Sequence, residues 1–211
     1  MGLPRSLAFL RTGTGGQSLE VFIDPLCPPS RNITRSLAAN VVPHITKGGK
    51  YEGKLQLITR IYPQPFHYLS AYPSEALLVF GQEHPDLFWD YLLATYDIQE
   101  NFFNRLVLDK TPREVTAAYV DVAVQVIQKA GKLGAESVEV AKEALTSKLA
   151  VHEKNNGGSS AFLDFKFLIR EGRQNGIHVT PTALLNGLED PAVSSGWGKA
   201  EWEQYLADKL D

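Results

Sequence analysis

Residues 19–30 read LEVFIDPLCPPS, and this stretch decides the fold. Its first half, Leu19 to Ile23, is an apolar run that favours a β-strand. Asp24-Pro25 ends the strand, because proline cannot donate to a β-ladder and restricts the residue before it. Cys27 follows, and the segment 31–46 is predicted to be a helix, whose first turn suits the intervening Pro28-Pro29. The sequence therefore places Cys27 where a strand gives way to a helix N-terminus.

A thiol at a helix N-terminus experiences the positive end of the helix dipole and nearby free backbone N–H groups. Both favour the thiolate, which is the nucleophilic form. The competing interpretation is a small buried hydrophobic residue, which is how most free cysteines behave. The position of Cys27 between a strand and a Pro-Pro helix start favours the reactive interpretation.

The chain on either side of this stretch predicts a βαβ unit. A short first strand is expected within Ser6 to Arg11, a second at Leu19 to Ile23 and a third at Lys54 to Tyr62. A strand, a helix and a strand at this spacing imply a parallel pair.

The residues from His67 to Gly176 predict helices rather than strands. Thr111-Pro112 with Glu114 has the pattern of a capping box, with proline at the first helical position. Five helices are expected, at 69–81, 85–95, 111–129, 137–152 and 160–173. The aromatic residues of this block are interpreted as core packing, with an apolar wall over Cys27 as the alternative; they include Trp89, Tyr91, Tyr96, Phe102 and Phe103.

The C-terminal part predicts a hairpin and a last helix. Thr182 to Leu185 is expected to form a strand, and Asn186-Gly187 is a hairpin-type turn. A second short strand is expected after it, and Trp197 to Leu210 ends the chain as a helix.

This order resembles the DsbA-like branch of the thioredoxin-fold superfamily. The resemblance rests on Phe22 to Ser30 and on Val179-Thr180-Pro181-Thr182, where the family has its Cys-x-x-Cys motif and its cis-proline loop. It implies an α/β, thioredoxin-like fold with a helical insertion between the βαβ and ββα halves. Residues 1–66 and 177–211 would form a discontinuous thioredoxin-like domain, and residues 67–176 an inserted helical subdomain. It also implies a cis peptide bond before Pro181 and a loop that faces Cys27.

The departure from the family motif is Ser30, which stands where the second cysteine would be. In a Cys-x-x-Cys site that second thiol resolves the mixed disulfide with the substrate. Ser30 cannot do so, although its hydroxyl could hydrogen-bond to the Cys27 thiolate from one helical turn away. The sequence therefore predicts a monothiol oxidoreductase with Cys27 and Ser30 as its catalytic residues. Cys27 supplies the thiolate, and Ser30 stands in the second position of the motif.

Four further residues are predicted to bind substrate. The resemblance implies that Thr180 and Pro181 hold a substrate peptide or glutathione through strand-like hydrogen bonds. Pro28 adjoins the thiol, and His67 follows the third strand, where α/β sites open, so that it could bind substrate or act as a base. Asp24 is interpreted as a strand-ending cap without chemistry.

Composition limits the partners. Lys+Arg minus Asp+Glu is 21 − 24 = −3, which gives no sign of a nucleic-acid surface. No apolar window is long enough for a membrane span, and no signal peptide is recognised, so we expect a cytoplasmic monomer or homodimer. One cysteine forbids an intramolecular disulfide and suits a reducing compartment. No histidine or cysteine spacing indicates a metal, so no bound cofactor is expected, with glutathione as a possible co-substrate beside protein thiols and disulfides.

Two alternatives stay open. A relative of the kappa glutathione transferases and hydroxychromene-carboxylate isomerases would use a serine near this position to activate glutathione, although Cys27 occupies the first position of the motif. A redox-inactive thioredoxin-fold binding module would keep only the peptide groove.

Overall fold

The computed structural model describes residues 2–134, 137–152 and 156–211. Within them one mixed sheet has the strand order β1-β3-β2-β4-β5. The strands are Arg11–Gly13 (β1), Gln17–Ile23 (β2), Leu55–Ile61 (β3), Thr182–Leu185 (β4) and Leu188–Glu189 (β5).

The centre of the sheet is the parallel pair that the sequence predicts. β2 and β3 run side by side from Gln17 opposite Leu55 to Ile23 opposite Ile61. β4 is antiparallel to β2, and β5 is antiparallel to β4. The predicted hairpin turn is confirmed, because Asn186 and Gly187 both have positive φ, 52° and 83°, as a type I′ turn requires.

Eight α-helices accompany the sheet in the described residues, besides four short 3₁₀ turns. The helices are Pro28–Asn40 (α1), Val42–Ile45 (α2), Ala71–Glu83 (α3), Phe88–Asp97 (α4), Pro112–Lys129 (α5), Val138–Leu149 (α6), Phe162–Gln174 (α7) and Lys199–Leu210 (α8). The predicted capping box is confirmed at the start of α5, where Thr111 and Glu114 exchange hydrogen bonds.

The predicted first strand is wrong. Arg5–Leu10 forms a 3₁₀ helix, and β1 starts only at Arg11. Leu7 and Leu10 are both buried, and residues three apart lie on the same side of a 3₁₀ helix. A short apolar run has no periodicity that separates a strand from a buried helical turn.

The helix predicted over 31–46 is two helices. α1 begins at Pro28, directly after Cys27, and ends at Asn40; α2 follows after Val41. Pro43 lacks an N–H for a helical hydrogen bond, and its ring crowds the preceding turn, which disfavours an unbroken helix. It lies instead in the first turn of α2, where the missing N–H has no helical partner to lose.

The sheet and the helices share one hydrophobic cluster. It includes Leu57 of β3, Tyr91 of α4, Tyr119 of α5 and Trp202 of α8. The predicted boundaries of the 67–176 insertion stay a prediction, and its residues 135–136 and 153–155 lie outside the described part of the chain.

Helix α7 lies close against the end of the sheet beside a buried ion cluster. A Cβ on Gly172 would come within 2.2 Å of the Tyr62 ring, so only glycine allows this approach. Arg60 of β3 contacts Glu20 of β2 at 2.6 Å and Glu171 of α7 at 3.3 Å. The Arg60 and Glu171 side chains are almost completely buried, so this cluster ties α7 to the sheet.

Candidate active site

Cys27 occupies the N-cap position of α1, as the sequence predicts. Its carbonyl oxygen accepts from Arg31 N–H at 3.1 Å, while its side chain stays outside the helix. The Sγ–H donates to the carbonyl oxygen of Thr180 at 3.1 Å. The residue is only 5% exposed, so the thiol lies just beneath the surface.

The Thr180-Pro181 peptide is cis, as expected, and faces Cys27. Sheet register explains the placement: Thr182 of β4 pairs with Phe22 of β2, so the residues before β4 lie at the end of β2 from which the Cys27 loop leaves. The Thr180 hydroxyl is buried and has no hydrogen-bond partner in the described residues. The structure thus brings together Cys27, Thr180 and Pro181, which are separated by more than 150 positions in the chain.

Ser30 lies one turn into α1 and is completely buried. Its hydroxyl accepts from Asp24 N–H at 3.2 Å, which ties the start of α1 to the end of β2. The hydrogen bond from Ser30 to Cys27 that the sequence allowed is not among the contacts of the described residues. Ser30 therefore holds the loop in place in this state.

Asp24 organises the floor of the site. Its carboxyl group is completely buried and accepts four hydrogen bonds. Oδ1 accepts from Leu26 N–H at 2.7 Å and from the Ser70 hydroxyl, and Oδ2 accepts from Gln64 N–H at 2.6 Å and from His67 Nδ1 at 2.7 Å. The bond to Leu26 is the turn cap that the sequence predicts. The other three donors were missed, because they lie 40 to 46 positions away.

His67 lies at the edge of this polar cluster. Its side chain is 21% exposed and lines a groove of about 360 Å³. The groove also contains the residues on both sides of Cys27 in the chain, together with residues of the helical block; the full lining is Leu26, Pro28, His67, Phe102, Phe103, Asn104 and Arg105. Two predicted substrate-binding residues, Pro28 and His67, therefore share one groove, which also contains Leu26, so that both chain neighbours of Cys27 line it.

Asn104 fixes the loop that carries His67. Its Nδ2 donates to Phe66 O at 2.7 Å, and its Oδ1 accepts from Tyr68 N–H at 3.0 Å. One side chain thus holds the backbone on both sides of the histidine. Sequence reasoning missed Asn104, because an isolated asparagine in a helical block has no local signal that identifies its partner.

Two phenols lie beneath the site. The Tyr96 hydroxyl is 3.4 Å from Asp24 O. Burial raises the pKa of Tyr96 well above its ordinary value, and the nearby Asp24 and Cys27 raise it further. Burial likewise raises the pKa of Tyr119, with a further contribution from Asp24. Both phenols therefore stay protonated across the neutral range.

The described residues contain no group of three or more His, Cys, Asp or Glu side chains that could hold a metal ion. In the same part of the chain, no helix has the length and apolar character that crossing a membrane requires.

Solved structures share this architecture. The chain is similar to a protein from Pseudomonas syringae provisionally assigned as a protein-disulfide isomerase, at 22% identity and a TM-score of 0.68, covering 95% of this chain and 99% of that chain. It is also similar to Chlamydia trachomatis DsbA (16% identity, TM-score 0.59, covering 95% of this chain and 91% of that chain). Bacillus subtilis BdbD is 18% identical, with a TM-score of 0.56, and the match covers 99% of this chain and 96% of BdbD. No family model and no curated protein matches the sequence.

At these identities the likeness shows the fold. The chain has the thioredoxin-like α/β fold of DsbA-like thiol-disulfide oxidoreductases, and the single cysteine, Cys27, makes it a one-cysteine variant of that fold.

Proposed function

We propose that this chain is a monothiol thiol-disulfide oxidoreductase that acts through Cys27. The observation that carries the proposal is the position of its Sγ, at the N-terminus of α1 and 3.1 Å from the carbonyl oxygen of Thr180 in the cis-proline loop. The helix N-terminus stabilises a thiolate. The backbone of the cis-proline loop at Thr180 can form strand-like hydrogen bonds with a bound peptide or glutathione.

A monothiol cycle needs an external thiol, because the chain has one cysteine. In the first step the Cys27 thiolate attacks the glutathione sulfur of a mixed disulfide, R–S–S–G. The S–S bond breaks, R–S⁻ leaves and takes a proton, and Cys27–S–S–G forms. In the second step a glutathione thiolate attacks the glutathione sulfur of that adduct, which releases oxidised glutathione and restores the Cys27 thiolate.

The surrounding residues take supporting roles in this proposal. Thr180 and Pro181 hold the bound thiol compound beside Cys27, and Pro28 and His67 line the adjacent groove. The substrates are protein thiols and disulfides or glutathione. A chain that cannot form an internal disulfide suits a reducing compartment such as the cytoplasm, as a monomer or homodimer.

Formation of the Cys27 adduct tests the proposal. The protein is incubated with oxidised glutathione at pH 7.5 and its intact mass is recorded over time, beside Cys27→Ala. We expect one glutathione per chain on the wild type, none on the variant, and turnover of a small mixed disulfide only with Cys27. The absence of an adduct on folded wild-type protein would reject the proposal.

A redox-inactive binding module is the second candidate, and one observation favours it. Cys27 is only 5% exposed, and its S–H is occupied by Thr180 O. Such a module would show no adduct in the same experiment, while still binding a thiol-free peptide. The kappa-type alternative finds less support, because Cys27, and not a serine, occupies the first position of the motif, and Ser30 is not the matching residue.

A further inference from the structure

We propose that His67, held by Asp24, takes the proton from the incoming glutathione thiol in the second step. This inference rests on the proposed function. It concerns the attack of glutathione on the Cys27 adduct, a step that needs an external thiol because the chain has no second cysteine. Asp24 is then a positioning residue, and His67 is the group that contacts the reacting thiol.

The hydrogen bond to Asp24 decides which nitrogen of His67 is available. Nδ1 lies 2.7 Å from Asp24 Oδ2, and this oxygen also accepts Gln64 N–H. An acceptor on one side of a neutral imidazole places the hydrogen there and leaves the lone pair on the opposite nitrogen. His67 therefore offers Nε2 as a proton acceptor.

The histidine is held in place from two sides. Asp24 fixes the ring, and Asn104 binds the backbone at Phe66 and Tyr68. The groove that His67 lines also contains Leu26 and Pro28, the chain neighbours of Cys27. In the proposed step a thiol compound enters this groove, between His67 and the residues that flank Cys27 in the chain.

A proton acceptor matters because the attacking thiol is mostly protonated at neutral pH. An ordinary thiol with a pKa of about 8.5 is ionised to only about 3% at pH 7. Imidazole is the side chain best suited to accept a proton there. In the step, the glutathione S–H proton moves to Nε2 and the sulfur attacks the adduct. The Cys27–S bond to glutathione sulfur breaks, and the electron pair returns to Cys27. The imidazolium proton later goes to R–S⁻ in the next cycle.

The pH dependence of the second step comes from the two groups that exchange the proton, the glutathione thiol and His67. Burial keeps the Tyr96 and Tyr119 phenols protonated. Arg105, on the groove, carries a guanidinium that stays charged throughout. Asp24 is the carboxyl that holds the ring. Cys27 is consumed in the adduct, so its thiol does not titrate in the second step.

The test measures the second step by itself. Wild type, His67→Gln and His152→Gln are preloaded with glutathione on Cys27, and the release of oxidised glutathione by reduced glutathione is followed from pH 6.5 to 9. Glutamine can still donate to Asp24 but cannot accept a thiol proton. His152 is exposed and makes the same substitution a matched control.

We expect His67→Gln to slow this step about tenfold to thirtyfold at pH 7, which is the gain available from ionising a thiol that is only about 3% thiolate. The deficit falls below about threefold at pH 9, where about three quarters of an ordinary thiol is already ionised. His152→Gln matches the wild type at every pH. Loading of Cys27 by oxidised glutathione is the reverse of this step, so it slows by the same factor in His67→Gln. Alkylation of the free Cys27 thiol by iodoacetamide keeps its wild-type rate in both variants.

Two outcomes overturn the inference and leave the proposed function standing. One is a His67→Gln rate equal to the wild type at pH 7. The other is a loss that is the same at pH 7 and pH 9, or an equal loss in the rate at which iodoacetamide alkylates the free Cys27 thiol. Either result would give His67 a role in shaping the site or in activating Cys27. Failure of the wild type to load at all is a different result, and it rejects the proposed function itself.

Discussion

Two carboxyl clusters, one within β2 and one directly after its end, differ in their partners and in their access to the surface. Glu20, within β2, meets Arg60 and Glu171 in a closed ion cluster between the sheet and α7. Asp24, four residues later, is held by backbone and hydroxyl donors and by His67 at the edge of a groove. In the first cluster one guanidinium contacts two carboxylates between the sheet and α7. The second cluster ends on an imidazole that lines a groove, so it is the second cluster that a ligand in this groove can reach.

Arg60→Leu should have the largest effect on stability. It leaves Glu20 and Glu171 buried without their cation, and breaking a buried ion pair in this way costs about 3–5 kcal/mol. Urea unfolding measures the free energy of unfolding. Loading of Cys27 per folded molecule stays at the wild-type rate, because the cluster does not reach the groove.

Arg11→Leu is the matched control for Arg60→Leu, since Arg11 is an exposed strand arginine and its loss should cost little. Equal stability losses in the two variants would show that the Arg60 cluster contributes nothing beyond a surface charge.

Asp24→Asn should lower both stability and activity. One carboxylate oxygen becomes an amide nitrogen that cannot accept, so one backbone donor, Leu26 N–H or Gln64 N–H, loses its partner, at a cost of about 1–3 kcal/mol. His67 also loses its fixed orientation, so the second step with glutathione slows about tenfold at pH 7. Urea unfolding and the preloaded assay give the two values.

Asp97→Asn serves as the control for Asp24→Asn, because Asp97 is an exposed partner of Arg35 and its pair contributes at most about 1 kcal/mol. A stability loss in Asp24→Asn without any change in the rate of the glutathione step would contradict this prediction. The Asp24 cluster would then serve stability alone, as the Arg60 cluster does.

The smallest effect belongs to Glu114, an exposed carboxyl that also accepts an N–H and a hydroxyl. The Thr111 backbone N–H and hydroxyl hold the pKa of Glu114 below its usual 4.5. A lowered pKa stabilises the fold above the unfolded-state value, and the contribution disappears as pH falls through the folded-state value. Glu114→Gln should therefore be slightly less stable than the wild type at pH 7 and equal to it near pH 3.

Thermal unfolding at the two pH values checks the Glu114 prediction. Glu143→Gln makes the same substitution at an exposed glutamate in the middle of α6, away from any cap, and provides the control. A deficit of Glu114→Gln that persists unchanged at pH 3 would contradict a contribution from the ionised carboxyl.

Local signals explain what was predictable. The Cys27 junction, the capping box at Thr111 and the turn at Asn186 each depend on residues within a few positions of one another. The cis peptide bond at Pro181 came from a family resemblance, which the dipeptide alone could not supply. The strand predicted at Leu7 to Leu10 was wrong, because four apolar residues are too few to distinguish the periodicity of a strand from that of a helix.

By itself, the sequence determined the βαβ unit, the C-terminal hairpin, the position of the thiol at a helix N-terminus and the absence of a second cysteine, since chain geometry and residue chemistry act over short distances. The tertiary structure alone decided that Asp24 collects donors 40 to 46 positions away, that His67 faces the groove beside Cys27, and that Arg60 joins two carboxylates. A buried polar group must find its partners wherever the packed chain brings them, and no local pattern records that choice.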